Sequence, residues 1–200
     1  MTKEKSIIRL ATERDANQLL EIYAPYVKNT AITFEYSVPS IQEFSSRIQN
    51  VLKKYPFIVA EIEGKIAGYA YGNTFQERAA YDWTAETTVY VRQDKTKLGL
   101  GKELYNALEK TLAAQNIIKL YACIAYSEND DEYLNHNSLE FHQHLGYRVV
   151  GKFQDCGYKF NRWYNMVWME KMIGEHKSLQ PEVKLFPEIQ DKIGFERFSW

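Results

Sequence analysis

Between a β-rich run, Glu86-Thr87-Thr88-Val89-Tyr90-Val91, and a strongly helical segment lies Lys97-Leu98-Gly99-Leu100-Gly101-Lys102. A strand, a short glycine turn and a helix in this order present free backbone N–H groups to an anion. The first helical amides have no intrahelical partner, and the helix dipole adds positive potential there. Glycines let a bulky phosphate approach without Cβ clashes. Spacing removes two phosphate binders. A nucleotide P-loop needs four residues between its glycines and Ser or Thr after the Lys, whereas Leu100 alone separates these glycines and Glu103 follows Lys102. A dinucleotide fingerprint needs a third glycine, and Leu104 stands in its place. A helix start that merely requires two small residues reads the same way locally.

The helix after the turn carries Leu100, Leu104, Leu108 and Leu112 on one face. Before the turn, Ile7–Leu10 reads as a strand. Thr12 and Asp15 read as a capping box for a helix that buries Leu19, Leu20 and Tyr23 and ends near Pro25. Residues 29–39 read as an irregular connection. Ser40 and Glu43 repeat the box ahead of Ile41, Phe44, Ile48, Val51 and Leu52. Strands at 57–62 and 66–71 flank the tight turn Glu63-Gly64-Lys65, and a loop spans Gly72 to Trp83. Later come a strand at 117–125, a polar acidic loop at 126–137, and a short helix opened by Ser138, with Leu139, Phe141 and Leu145 inward, closed by Gly146. Two last strands, 147–153 and 164–172, are expected to meet at a turn near Gly157. The order β-α-α-β-β-β-α-β-α-β-β implies an α/β or α+β fold with a sheet of mixed direction. Residues 1–173 form the domain. Residues 174–200, with Pro181, Pro187 and an aromatic end from Phe195 to Trp200, form an extension that either packs across the domain or is partly disordered.

A net charge of −1 gives no electrostatic case for nucleic acid or an anionic membrane. Lys95, Lys97 and Lys102 make a small basic patch around the turn. There is no apolar run of about eighteen residues, the length a membrane span needs, and no secretory signal is visible. Cys123 and Cys156 lie in strand-like surroundings far apart in sequence and read as two buried thiols of a cytoplasmic protein. His142 and His144 are two apart on a helix and point to different sides, so a metal site with His136 is not expected.

Three stretches coincide with one family. Thr96-Lys97-Leu98-Gly99-Leu100-Gly101 follows the acyl-CoA signature [QR]-x-x-G-x-[GA], with Thr96 where Gln or Arg usually stands. Asn135-x-x-Ser138, with Phe141 and Gly146-Tyr147, is similar to the late N-x-x-A element. Ala80 to Val91, the run AYDWTAETTVYV, looks almost unchanged from one branch. The chain thus resembles the GNAT acetyltransferases over about residues 7–172, and among them the phosphinothricin acetyltransferase-like branch. The loop from Glu128 to Leu134 is longer than in that branch.

The resemblance implies a mostly antiparallel sheet with splayed central strands at an acetyl-CoA site. It implies transfer of acetyl to the primary amine of a small amino acid or analogue by direct attack, without a metal and in a homodimer. Leu98 to Lys102, with Lys97, Asn135 and Ser138, are expected to hold acetyl-CoA, whose extended arm pairs with Val89, Tyr90 and Val91. One N–H there polarises the thioester carbonyl. Amines with pKa values of roughly 8–10 are mostly protonated at neutral pH, so a base is needed. Glu86 is the expected base and Glu35 the competitor. His142 stands where many GNAT enzymes place a proton-donating tyrosine, and either relays a proton or is structural. Phe34, Glu35, Arg78 and Tyr81 are expected at the acceptor, with Arg78 suited to a carboxylate or phosphinate. Asn161-Arg162-Trp163 resembles an aromatic element near a subunit contact in relatives, with Trp163 in the core as the other reading. A peptide or protein N-acetyltransferase and a non-catalytic acetyl-CoA sensor are the competing functions.

Overall fold

The computed structural model describes residues 6–193. Seven strands form one sheet in the order β1-β2-β3-β4-β5-β7-β6. They are β1 (Ile7–Leu10), β2 (Phe57–Ile62), β3 (Lys65–Thr74), β4 (Thr84–Val91), β5 (Lys119–Tyr126), β6 (Arg148–Lys159) and β7 (Arg162–Met172). Every neighbouring pair is antiparallel except β4 and β5. The mixed, mostly antiparallel sheet is therefore as expected, although β3 runs on to Thr74, into the segment read as a loop.

Helices α1 (Ala16–Asn29) and α2 (Ile41–Leu52) cover one face of the β1–β4 half. Helix α3 (Leu100–Ala114) covers the opposite face, and α4 (Asn137–His144) packs beside it. Ser40 caps α2 by accepting from Glu43 N at 3.1 Å. In α1 the residues Leu19, Ile22, Tyr23, Tyr26 and Val27 are buried, a continuous stripe at helical spacing. That stripe corrects the expected end at Pro25. The proline removes one hydrogen bond, but burial of Tyr26 and Val27 beyond it carries the helix to Asn29. On α3, Leu104, Leu108 and Leu112 are fully buried, as the spacing predicts.

The β2–β3 turn holds Glu63 at φ 50° and Gly64 at φ 77°, both in the left-handed region. The β6–β7 turn is not near Gly157. It is made by Phe160 and Asn161, at φ 52° and 58°, and a bulge interrupts the ladder between Phe153 and Gly157. The glycine at 157 serves packing, because a Cβ there would lie 2.3 Å from the Phe34 ring.

Both cysteines are exposed, correcting the expected burial. Cys123 alternates with the inward-facing Ala122 and Ile124 of β5, on the side that α1 and α2 leave open, and Cys156 lies in the β6 bulge. Trp163 is 62% exposed and is not a core residue. Residues 174–193 run back over the domain. Trp83 Nε1 donates to Pro181 O at 2.7 Å, Gln115 Nε2 to Lys184 O at 2.8 Å, and Phe186 and Ile189 are buried. The aromatic end from Phe195 lies outside the described residues. Among the described residues no helix is long and apolar enough to cross a membrane.

Candidate active site

The site follows from where two strands part. β4 pairs with β5 only at Thr84–Glu86 against Lys119–Tyr121. Beyond Glu86, β4 stays with β3 as far as Val91, while β5 stays with β7. A notch opens between them, and a cavity of about 300 Å³ fills it, lined by Glu86, Thr88, Val89, Cys123, Ser138 and His142 among others. Trp83 O accepts from Ile118 N at 2.9 Å on the β5 side, while Arg92 N donates to Ala67 O at 2.8 Å on the β3 side. Backbone direction alternates along a strand. Thr87, Val89 and Val91 therefore turn their backbone groups to the notch, and Tyr90 turns its to β3. The Val91 carbonyl accepts from the Tyr26 hydroxyl. The Tyr90 ring packs edge-on against Tyr23 and Tyr26, at 5.0 Å from each.

Glu86 sits at the apex of the notch, half-buried. Burial alone pushes its carboxyl above the usual glutamate value. Glu35 lies on the rim, held by Arg47 at 2.6 Å, outside this first cavity. Phe34 lines the cavity and packs on Tyr164. Arg78 and Tyr81 do not line it. Arg78 is exposed, and Tyr81 rests on Phe75, which stacks on Tyr121.

On the other side, α4 and α3 deliver a buried polar chain. His142 Nδ1 donates to Ser138 O at 2.7 Å, which leaves a lone pair on Nε2, 2.7 Å from the Tyr105 hydroxyl. Tyr105 also reaches Thr87 Oγ1 at 3.2 Å, and Thr87 donates to Tyr121 O at 3.1 Å. Burial lowers His142 to about 4, so the ring is neutral at pH 7. Tyr105 was not legible as a site residue, because a tyrosine beside a leucine stripe reads as core. Arg47 was legible only as an i,i+4 partner of Glu43, which it contacts at 2.6 Å.

At the start of α3, Gly99 has φ 86°, and a Cβ there would meet nothing within 4 Å. The first intrahelical bond runs from Glu103 N to Gly99 O, so the amides of Leu100, Gly101 and Lys102 precede the ladder and face outward along the axis. Lys97, at φ 67°, and the exposed Leu98 complete the turn. Gly101 serves packing instead, since a Cβ there would lie 3.0 Å from the Phe141 ring. Asn135 Oδ1 accepts from Asn137 N at the start of α4. An open amide cradle leading into a notch with an unpaired strand edge fits an acyl-CoA, whose phosphates and extended amide arm need those two features.

Residues 8–168 match the family model described as an acetyltransferase (GNAT) domain. The chain belongs to the GNAT acetyltransferases. It is 34% identical over 164 residues to phosphinothricin N-acetyltransferase of Streptomyces viridochromogenes, covering 82% of this chain and 86% of the relative. It is 32% identical over 173 residues to L-methionine sulfoximine/L-methionine sulfone acetyltransferase of Pseudomonas aeruginosa, covering 86% and 96%. Among solved structures, a phosphinothricin acetyltransferase from Sinorhizobium meliloti in complex with AcCoA superposes with a TM-score of 0.81 at 28% identity, covering 92% of this chain and 96% of that one. This GNAT enzyme is thus an acyltransferase that uses acetyl-CoA. Among its described residues no group of three or more His, Cys, Asp or Glu is placed to hold a metal ion.

Proposed function

We propose that this GNAT enzyme acetylates the α-amine of a small amino acid or amino-acid analogue of the phosphinothricin or methionine sulfone type. The observation that carries the reading is Glu86, a half-buried carboxylate raised by burial at the apex of the notch. Relatives named for phosphinothricin and for methionine sulfone support the acceptor class. Acetyl-CoA supplies an activated acetyl thioester. The amides at the start of α3 hold its phosphates, and the Val89 N–H polarises the thioester carbonyl. Glu86 takes the proton of the amine, directly or through a water. The departing CoA thiolate is balanced by the proton that the amine gives up to Glu86. Tyr105 and His142 line the same cavity, with the Tyr105 hydroxyl donating to Nε2 of the neutral ring.

The open side of β5, β7 and β6 exposes Val150 and Phe153 beside Trp168 and Tyr121. Such a face supports a homodimer. The exposed, unpaired thiols of Cys123 and Cys156 support a cytoplasmic location.

The test is release of CoA thiol from acetyl-CoA with phosphinothricin, methionine sulfone, free amino acids and N-terminal peptides. Turnover of the amino-acid acceptors, reduced about 10²–10⁴-fold in Glu86→Gln, is expected. Turnover of peptides alone would replace this reading with a protein N-acetyltransferase. Acetyl-CoA binding without any turnover would indicate a sensor.

A further inference from the structure

A second cavity, about 400 Å³, lies between α2 and β3. It meets the first at Tyr23, Tyr71 and Tyr90, which line both. In the β3–β4 ladder Asn73 stands opposite Glu86 and Tyr71 opposite Thr88, so the side chains of all four rise from one face of the sheet. An acceptor with its amine at Glu86 therefore has this second space within reach for its side chain.

The walls are rings. Phe44, Phe57 and Tyr69 are buried there, and Phe57 stacks on Tyr71 with centroids 4.8 Å apart. Asn50, Asn73 and Thr74 give the lining its neutral polar groups. The charged residues lining it are Glu35, Arg47 and Lys54, and each faces an opposite charge. Arg47 bridges Glu35 and Glu43, each at 2.6 Å, and Lys54 meets Asp82 at 2.9 Å. A charged side chain entering this space loses water and finds its natural partners already engaged. A ring or a sulfur-bearing chain finds aromatic faces at contact distance.

We propose that the second cavity is the acceptor's side-chain subsite. It selects amino acids with a bulky neutral side chain, aromatic or thioether-derived, over phosphinothricin, whose phosphinate is anionic. This deepens the proposed function and rests on it, since it needs an amino-acid acceptor at Glu86.

The experiment measures kcat/KM with acetyl-CoA for L-phenylalanine, L-methionine sulfone, phosphinothricin and L-alanine, in the unaltered enzyme and in Asn50→Trp. Asn50 is exposed on α2 and lines only the second cavity, so the indole fills that space without entering the core. The neutral bulky acceptors are expected to exceed phosphinothricin by about tenfold or more. Asn50→Trp is expected to raise KM for phenylalanine about tenfold, leaving KM for alanine and for acetyl-CoA unchanged. Preference for phosphinothricin, or an equal effect of Asn50→Trp on alanine and phenylalanine, overturns the subsite while leaving amino-acid acetylation intact. Failure to acetylate any of the four despite acetyl-CoA binding overturns both.

Discussion

The Tyr105 hydroxyl lies 2.7 Å from Nε2 of His142, and the other nitrogen of that ring is committed to Ser138 O at 2.7 Å. The two hydrogen bonds fix one tautomer, so the histidine that resembles a family proton donor acts as an acceptor toward Tyr105. Burial lowers the ring to about 4 from an ordinary 6.5. In the unfolded chain the histidine binds a proton below 6.5, while the folded protein excludes it down to about 4. Stability contributed by this residue is therefore complete at neutral pH and falls as pH drops from 6.5 toward 4. In His142→Gln the acid slope of unfolding free energy across that window should be shallower by about 1.4 kcal/mol per pH unit. Denaturant titrations between pH 4 and 7 measure it, and an unchanged slope would contradict the assignment.

The pH dependence of catalysis should carry the mark of Glu86. A base works ionised, so kcat/KM falls as pH drops through its pKa, which burial raises above 4.5. An acid limb above the ordinary glutamate range is expected in the unaltered enzyme. It should be missing from the residual activity of Glu86→Gln. A limb that survives the substitution unchanged points to another base.

Gly157→Ala tests the seat of Phe34. The added methyl lies 2.3 Å from the ring in the present packing, so Phe34 must move. Because that ring lines the first cavity, the acceptor KM should rise severalfold while KM for acetyl-CoA stays put. Overpacking should also lower stability by about 1–3 kcal/mol. Thermal melts and two-substrate kinetics separate these effects.

Lys159 anchors the same loop from below. Its Nζ donates to Val27 O, Thr30 O and Thr33 O at 2.8, 2.8 and 2.7 Å, and the residue is 3% exposed. Lys159→Met leaves three carbonyls without that donor, two of them at the end of α1. A loss of about 3 kcal/mol is expected. Hydrogen exchange at residues 30–36 should quicken more than exchange in α3, and equal change in both would argue against a local anchor.

Much of the fold was legible because its signals are local. The β2–β3 hairpin follows from Glu63-Gly64, which adopt the left-handed conformations a two-residue turn requires. The Ser40 cap and the Leu104, Leu108, Leu112 stripe place α2 and α3 from a few neighbouring residues. Arg78 shows the opposite case. Its type suits an anionic acceptor, yet it is exposed and lines neither cavity, whereas Arg47 on α2 reaches the rim and pairs with Glu35.

The sequence by itself determined the glycine turn ahead of α3 and the run of residues that places Glu86 on β4. Both depend on backbone preferences within a few positions. Only the tertiary structure decided that β4 and β5 pair at three positions and then part, that Gly157 serves Phe34 rather than a turn, and that His142 is neutral beside Tyr105. Each of these depends on groups tens of residues apart. Their contact distances and loss of water arise only when the sheet and helices close on one another.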